Sequence, residues 1–454
     1  MPLLPRLFRS CKVIFLLVAT CLFYPAARAG FWCTGYYPGW EQGAMPASSI
    51  DFTTVTHVVH FALVPNANGT LNSSANSVTP ANSADLVSRA HAAGRKTLIC
   101  VGGADSQAGF QGATSAANLG PFITNVVTFM AARGYDGIDV DWEPLDSSDA
   151  DQYTNLINGL RSALNANNPR PLLTTAIACP PTPPALIAGL QNQFDQINVM
   201  TYDLSGPYAG WVTWFNSPIF DGGYRFTSTG GLVPSVDGVI TSLTKAGVAP
   251  GRLGLGVAFY GWLWSGGAGT STGGAALPRQ SWTTAPSASQ ISYRAITSTY
   301  YQSNLYHWDA AAQAAYLSID NAGSSNDKFI SYDDALTCQS KVSYARNRGL
   351  GGVFIWELAQ DHSANQPDPL LQSVKQALAT PRFTSIRLTD QDIQFSFTTL
   401  PLASYRVLSA TNLTAPVWST VTNGIPGSGD ILQITDPGVI TVHPQLFYRV
   451  QTPP

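Results

Sequence analysis

The sequence has few charged residues and lacks the motifs of several common protein classes. Only 11% of its 454 residues are charged and 45% are hydrophobic, a composition that excludes an intrinsically disordered chain. No G-x-G-x-x-G motif follows the first predicted strand, which argues against a nucleotide-binding fold. The formal net charge is −3, so the chain lacks the basic surface that a nucleic-acid partner requires.

Cysteine and histidine are scarce, with six of each. The four cysteines beyond residue 29 are Cys33, Cys100, Cys179 and Cys338. Their wide spacing matches no C-x-x-C pattern, and the histidines form no H-x-x-x-H pair. We therefore expect buried thiols rather than a disulfide framework or a zinc site, and we expect no metal and no other cofactor.

The N-terminus has no apolar run long enough to span a membrane. Its run, residues 13–24, is about half of the roughly 20 residues that a span needs. Basic residues precede this run and the small-residue sequence ARA follows it, which is the order of a secretory signal. We expect cleavage after Ala29, which would change the formal charge to −7 because residues 1–29 carry four basic residues and no acid. The mature protein would then be extracellular or periplasmic and free of the membrane.

Cys21 offers an alternative reading of the N-terminus as a lipid-attachment site. Thr20 before it is a poor fit to that signal. No heptad pattern or long exposed apolar segment follows, so a monomer is the default expectation.

Eight apolar segments predict buried β-strands, because most of their residues are β-branched, aromatic or apolar. They are WCTGYY, THVVHFALV, KTLICVGG, YDGIDVDW, LLTTAIAC, QINVMTYDL, LGLGVAFYG and GGVFIWEL. Amphipathic stretches between or after them predict helices at 83–94, 117–133, 149–165, 233–246, 333–348 and 368–379. This alternation favours an α/β fold, a (β/α)₈ TIM barrel, with a doubly wound open sheet as the alternative.

The barrel would occupy residues 30–380, about 100 residues more than a typical barrel of roughly 250. Residues 263–350, between the seventh and eighth strands, predict an α+β insertion, and the aromatic segment 204–231 is a second enlargement. Short alternating segments in residues 381–454 predict a small all-β domain. Core packing is the default explanation of that domain's aromatic residues, and carbohydrate binding is the alternative.

The segment GYDGIDVDWEP, residues 134–144, alternates acids with apolar residues. On a strand Asp139, Asp141 and Glu143 would share one side, and the apolar residues would face the helices. Three carboxyl groups inside a barrel cost several kcal/mol each unless neutralised, so stability does not explain them. A shared proton and a raised pKa would suit a general acid, and Glu143 lies nearest the carboxyl end of the strand. A calcium site is the alternative, but its spacers would be polar or glycine.

The octapeptide DGIDVDWE resembles the D-x-x-D-x-D-x-E signature of glycoside hydrolase family 18, the chitinases and their relatives. HFAL, VGG, MTYD and the segment from YDDALTCQ to GGVFIWEL resemble other strands and the last helix of that family. The region from ISYRAI to WDAAAQAAYL resembles its inserted subdomain. The resemblance covers about residues 31–378 and implies a TIM-barrel hydrolase acting on chitin or N-acetylglucosamine oligosaccharides.

The resemblance implies a catalytic set on two strands. Glu143 would protonate the glycosidic oxygen and later deprotonate water, while the acetamido group of the substrate acts as the nucleophile. Asp141 would orient that group, and Asp139 would be its buried partner. Tyr202 would hydrogen-bond the acetamido carbonyl, and Asp136 would brace the strand.

The resemblance also implies a set of sugar-binding residues. Trp356 would be the floor of the site, with Tyr36 and Phe61 at its wall and Met200 and Asp203 lining the same subsite. Without the resemblance, we would interpret Trp356, Met200 and Tyr202 as core residues, because they lie in apolar strands.

Three positions depart from the family pattern. Cys100 stands where serine is usual, Trp262 where arginine is common, and Pro144 where tyrosine is frequent. Because of these departures, the resemblance does not determine the leaving-group side of the cleft or the exact substrate. Alternatives to a chitinase are an endo-β-N-acetylglucosaminidase acting on glycans or peptidoglycan, and a chitin-binding lectin without catalysis. The two enlargements favour a deep cleft for linear chitin.

Overall fold

The computed structural model describes residues 30–321, 326–363, 368–379, 381–399, 404–414, 416–427, 431–443 and 445–451. The expected signal segment, residues 1–29, lies outside them.

Eight parallel strands form a closed barrel. They are Trp32–Pro38, His57–Pro65, Lys96–Gly103, Gly137–Trp142, Leu172–Ile177, Gln196–Val199, Leu253–Ala258 and Gly352–Trp356. The first strand pairs with both the second and the eighth, which closes the sheet. A two-residue strand, Leu71–Asn72, pairs with the end of the second strand. The TIM-barrel prediction is confirmed.

The helices lie between or after the strands, and all except Tyr293–Thr299 belong to the barrel. They are Pro80–Ala92, Gln107–Ala113, Leu119–Ala132, Ala150–Asn165, Pro184–Leu190, Val236–Lys245, Tyr293–Thr299, Ala335–Asn347 and Pro369–Ala379. Short 3₁₀ turns occupy Gly39–Glu41, Ala47–Ser49, Ser147–Asp149, Gln191–Gln193, Pro250–Arg252, Leu358–Gln360 and Val439–Thr441. In the described part of the chain, no helix combines the length and apolar character required to cross a bilayer.

An antiparallel sheet of five strands is inserted between the seventh and eighth barrel strands. Its strands, in spatial order, are Ser287–Ser292, Tyr260–Ser265, Lys328–Tyr332, Ala314–Ile319 and Tyr306–Asp309. The α+β insertion is therefore present, and it carries the helix Tyr293–Thr299. The interval 263–350 contains most of this sheet and also the helix Ala335–Asn347, whose Cys338, Val342 and Ala345 belong to the barrel's core.

The C-terminal region is all-β, as predicted. It has two antiparallel sheets of three strands, formed by Phe383–Thr389, Asp392–Thr398 and Ile431–Asp436 and by Ser419–Pro426, Ser404–Ala410 and Phe447–Gln451. Phe395, Phe397 and Tyr405 are buried together, so core packing is the correct explanation of these three aromatic residues.

Candidate active site

The fourth barrel strand places its acids and its apolar residues on opposite sides. Ile138, Val140 and Trp142 are buried in the core between the barrel and its helices. Asp139 and Asp141 are buried on the inner side, with 0% and 2% of their surface exposed. Glu143 follows the last strand residue and is half-buried. The predicted alternation is confirmed, and the acids lead from the barrel interior to its carboxyl end.

Asp139 is surrounded by hydrogen-bond donors from three other strands. Tyr36 donates to its Oδ2 at 2.8 Å and Thr174 to its Oδ1 at 2.5 Å. Cys100 and Thr174 are the direct Cα partners of Asp139 on the two neighbouring strands, and the Cys100 thiol also bonds to its carboxylate. Burial raises the pKa of Asp139, and these donors oppose that effect. The donors thus offset part of the cost of burying a charged carboxyl group deep in the barrel.

Asp141 and Glu143 form a coupled pair of carboxyl groups. Burial, followed by the nearby charge of Glu143, raises the pKa of Asp141 well above its ordinary value. Burial raises the pKa of Glu143 to about 7, and the charges of Asp203 and Asp105 add to the effect. Two carboxyl groups this close hold one proton between them near neutral pH. Oδ1 of Asp141 is buried and has no hydrogen-bond partner among the described residues.

The backbone around the pair is fixed by Ser106. Its hydroxyl accepts a hydrogen bond from the Glu143 N–H at 3.1 Å and donates to the Asp141 carbonyl at 3.3 Å. Gly102, with a φ of +117°, passes so close that a Cβ would lie 1.9 Å from the Asp141 carbonyl oxygen. A Cβ at Gly103 would lie 2.5 Å from the ring of Phe61. The VGG segment therefore needs Gly102 to fit against the fourth strand and Gly103 to fit against the ring of Phe61.

Tyr202 lies beside the carboxyl pair at the end of the sixth strand. Its ring packs against Tyr260 and Phe354, with centroid distances of 5.8 and 5.9 Å. Burial, and then the charges of Asp141 and Glu143, raise its pKa well above the ordinary value. The phenol therefore stays neutral and can donate a hydrogen bond to a bound group.

An aromatic group lines the mouth of the barrel. Trp356 lies edge-on to Phe61 at 4.7 Å and 5.8 Å from Tyr36, measured between ring centroids. Trp356 is only half-buried, so part of its surface is accessible. Met200, also half-buried, packs against the same inner cluster. The structure therefore brings together Tyr36, Phe61, Met200, Tyr202 and Trp356.

Asp203 is exposed at the edge of this group and is held by side chains of the inserted sheet. Trp262 donates its indole N–H to Oδ1 at 2.6 Å, and the Gln290 amide reaches both oxygens at 3.3 Å. The Asp203 N–H donates to Oδ1 of Asn216 at 2.8 Å. Trp262, the departure from the family's arginine, thus supplies a neutral donor to this acid.

Asp136 lies at the opposite end of the fourth strand. It bonds to Lys96 at 2.7 Å and His91 at 2.8 Å, and it accepts the Thr97 N–H at 2.8 Å. These contacts join the third and fourth strands far from the carboxyl pair, in agreement with a bracing role.

Several residues of the site were not predicted from the sequence. Thr174, Ser106 and Gln290 contact the predicted acids, and Trp40 contacts Phe61 edge-on at 5.7 Å between ring centroids. Thr174 had a usable signal, because it is a polar residue in an otherwise apolar strand. Ser106 and Gln290 lie in segments without such a pattern.

The part of the chain that the structure describes has no cluster of three metal-ligating side chains. Cys33, Cys100, Cys179 and Cys338 are free and buried, as expected of apolar packing residues.

A closed (β/α)₈ barrel with a coupled pair of carboxyl groups and a group of aromatic residues at its carboxyl end is typical of one class of protein, the TIM-barrel glycoside hydrolases. The sequence model of glycosyl hydrolases family 18 matches residues 33–361. The chain belongs to that family.

Named relatives are chitinases. The chain is 31% identical to chitinase A1 of Niallia circulans over 299 residues, which are 59% of this chain and 41% of the relative. It is 27% identical to the class V chitinase of Arabidopsis thaliana over 410 residues, 82% of this chain and 98% of the relative. The chain thus spans less than half of the bacterial relative.

Solved structures share the fold. A group IV chitinase of Ostrinia furnacalis in complex with allosamidin has a TM-score of 0.66 and 23% identity, and covers 77% of this chain and 99% of its own. A family 18 chitinase of Cycas revoluta in complex with (GlcNAc)3 has a TM-score of 0.62 and 22% identity, and covers 76% of this chain and 99% of its own.

Proposed function

We propose that the protein is a secreted chitinase that cleaves internal β-1,4 bonds between N-acetylglucosamine units by a substrate-assisted, retaining mechanism. The observation that carries the proposal is the position of Glu143. This half-buried carboxyl group has a pKa raised to about 7 and is coupled to Asp141 and Tyr202, and Tyr202 belongs to the same cluster of side chains as Trp356. A carboxyl group that keeps its proton near neutral pH is suited to general acid catalysis.

In the first step Glu143 transfers its proton to the glycosidic oxygen. The bond between that oxygen and the sugar C1 breaks, and the acetamido carbonyl oxygen of the same sugar attacks C1 to form an oxazolinium ion. Tyr202 donates a hydrogen bond to the acetamido oxygen. Asp141, whose Oδ1 has no partner among the described residues, accepts the acetamido N–H and stabilises the positive charge that develops.

In the second step the Glu143 carboxylate takes a proton from water. The water attacks C1 on the face that the leaving group vacated, and the oxazolinium ring opens. Two displacements at C1 retain the anomeric configuration. Asp139, buried and held by Tyr36 and Thr174, keeps a negative charge behind Asp141 throughout.

Substrate binding would use the aromatic residues at the barrel mouth. Apolar faces of sugar rings pack on aromatic rings, and Trp356 presents a half-exposed ring between Phe61 and Tyr36. Met200 and Asp203 would line the same subsite. The chitinase names of the relatives support this substrate class.

Secretion is part of the proposal. The basic, apolar and small-residue order of residues 1–29 supports an export signal cleaved after Ala29. Mass measurement of the N-terminus of the mature protein from its culture tests this part: a chain beginning at Gly30 supports it, and an intact Met1 contradicts it.

An assay of three substrates tests the activity. Wild type, Glu143→Gln and the control Asp85→Asn, which lies on an outer helix and pairs with Arg89, are incubated with colloidal chitin, chitin oligosaccharides and a high-mannose glycopeptide. Release of short N-acetylglucosamine oligosaccharides by wild type and control, but not by Glu143→Gln, supports the chitinase. Cleavage of the glycopeptide alone would indicate an endo-β-N-acetylglucosaminidase. Binding of chitin without turnover by wild type would indicate a lectin.

A further inference from the structure

Asp203 is an exposed acid whose side-chain partners are neutral. Trp262 and Gln290 of the inserted sheet donate N–H groups to its carboxylate. Within the described residues, no lysine, arginine or histidine forms an ion pair with Asp203 or with Asp105, the other exposed acid near Glu143. The hydrogen bonds orient the Asp203 carboxylate and leave its charge uncompensated.

This negative charge lies next to the bond that would be cleaved. Gly103 pairs with Trp142, so Asp105 and Glu143 follow paired residues of adjacent strands, and the charges of Asp203 and Asp105 both add to the raised pKa of Glu143. Asp105 follows the third strand and Asp203 the sixth, so they approach Glu143 from different strands. The cleft around the glycosidic oxygen therefore has a negative potential.

A second observation points to a ligand at Asp203. The hydroxyl group of Tyr260 is buried, and it has no hydrogen-bond partner of good geometry among the described residues. Burial, followed by the nearby charge of Asp203, raises the pKa of this phenol well above its ordinary value, so the hydroxyl stays protonated beside that carboxylate. A buried polar group without a partner costs about 1 to 3 kcal/mol. A ligand with N–H groups can satisfy Asp203 and the lone pairs of Tyr260 together.

We propose that Asp203 selects chains in which the sugar next to the cleaved unit carries a free amino group, so that partially deacetylated chitin is a preferred substrate. The proposal rests on the chitinase function. The cleaved unit itself must keep its acetamido group, because that group is the nucleophile. The protonated amine therefore belongs on the neighbouring unit on the leaving-group side, towards which Asp203 would extend from the exposed edge of the cleaved unit's subsite. A protonated amine carries the positive charge that the neutral donors around Asp203 do not supply, and its N–H groups can also donate to the Tyr260 hydroxyl oxygen.

The test uses partially deacetylated chitin with about half of its acetyl groups removed at random, together with fully acetylated oligosaccharides. The polymer is digested to low conversion at a pH at which its amines are charged, and the sugar at each new non-reducing end is identified by mass spectrometry. We expect wild type to enrich glucosamine at these ends by about two- to fivefold over the polymer average, the size of one exposed ion pair. The enrichment should fall as salt is added.

Two variants decide the outcome. Asp203→Asn keeps the shape and the hydrogen-bonding size of the side chain, and it should return the new ends to the polymer average whatever its overall rate. Asp85→Asn removes one distant negative charge and should keep the enrichment. The inference would be overturned if wild type produced new ends with the glucosamine content of the polymer, or if Asp203→Asn kept the enrichment. Cleavage of the acetylated oligosaccharides in the same experiment would still support the chitinase function. A wild type that cleaves neither substrate would overturn both.

Discussion

The hydroxyl of Tyr36, on the first barrel strand, donates a 2.8 Å hydrogen bond to Oδ2 of Asp139, on the fourth. This bond crosses the interior of the barrel and connects the aromatic residues at its mouth to the row of acids, because the ring of Tyr36 also lies 5.8 Å from that of Trp356. One side chain therefore contributes to both the charge and the shape of the site.

The variant Tyr36→Phe tests this link. Loss of a hydrogen bond to a charged group costs about 1.5 to 3 kcal/mol, so Asp139 should hold a proton more readily and kcat should fall about tenfold or more. KM should change little, because the ring remains. Steady-state kinetics on a chitin oligosaccharide measure kcat and KM separately. Tyr37→Phe is the control, since that hydroxyl donates to the Met45 carbonyl in the outer core; equal losses in both variants would contradict the link.

The pH dependence of kcat/KM should follow Glu143. The general acid must be protonated, and its pKa is raised to about 7 by burial and by neighbouring charges, so activity should fall as the pH rises through about 7. Asp203→Asn removes one of those charges and should move the midpoint of this fall in activity to lower pH. Asp85→Asn should leave it in place. If kcat/KM fell at the same pH in Asp203→Asn as in wild type, the charge of Asp203 would have no effect on the pKa of Glu143.

Glu357 predicts a pH dependence of stability. It is 1% exposed, and burial raises its pKa to about 8 from an ordinary value of 4.5. The folded state therefore binds its proton more tightly than the unfolded state, and stability declines as the pH rises between these values. His57 and His60, with pKa values lowered by burial to about 4, act in the opposite direction but only below about 6.5.

Between pH 6.5 and 8 the acids should therefore dominate, and the melting temperature of wild type should fall by several degrees. Glu357→Gln should flatten this slope. The slope that remains would come from Glu143 and Asp361, whose pKa values are both raised to about 7. Thermal unfolding across this range makes the measurement. An unchanged slope in Glu357→Gln would mean that the Glu357 carboxyl titrates near its ordinary pKa.

Gly256 tests the position of Tyr202. A Cβ at Gly256 would lie 2.9 Å from Cε1 of Tyr202, so Gly256→Ala should displace the phenol. We expect kcat to fall at least tenfold, because small displacements of catalytic groups are costly. Gly189→Ala, on a helix where nothing lies within 4 Å of the new atom, should keep full activity. Wild-type kcat in Gly256→Ala would argue against a role for Tyr202.

The fold and the first contacts of the site were largely predictable, because both follow from local patterns. Apolar strands alternating with amphipathic stretches predicted all eight barrel strands. Three helices were not predicted because seven residues carry too little of a helical period: Gln107–Ala113, Pro184–Leu190 and, in the insertion, Tyr293–Thr299. The start of the inserted sheet at Tyr260 was also missed, since only one residue separates it from the seventh strand.

The partners of the acids were harder to predict. Thr174 and Ser106 reach Asp139 and the Glu143 backbone only after the barrel brings distant segments into register. Gln290 reaches Asp203 from 87 residues away through the pairing of the inserted strands. The alternation of the acidic strand predicts where its carboxyl groups point, but it contains no information about which donors surround them.

The central claim is that Glu143 keeps a proton near neutral pH, and the sequence permits a direct measurement. The chain has only three glutamates, Glu41, Glu143 and Glu357. Selective ¹³C labelling of glutamate side-chain carboxyl groups therefore gives three NMR signals, and Glu143→Gln identifies one by its loss. The account predicts that this signal titrates near pH 7, whereas titration near the ordinary glutamate value of about 4.5 would contradict it.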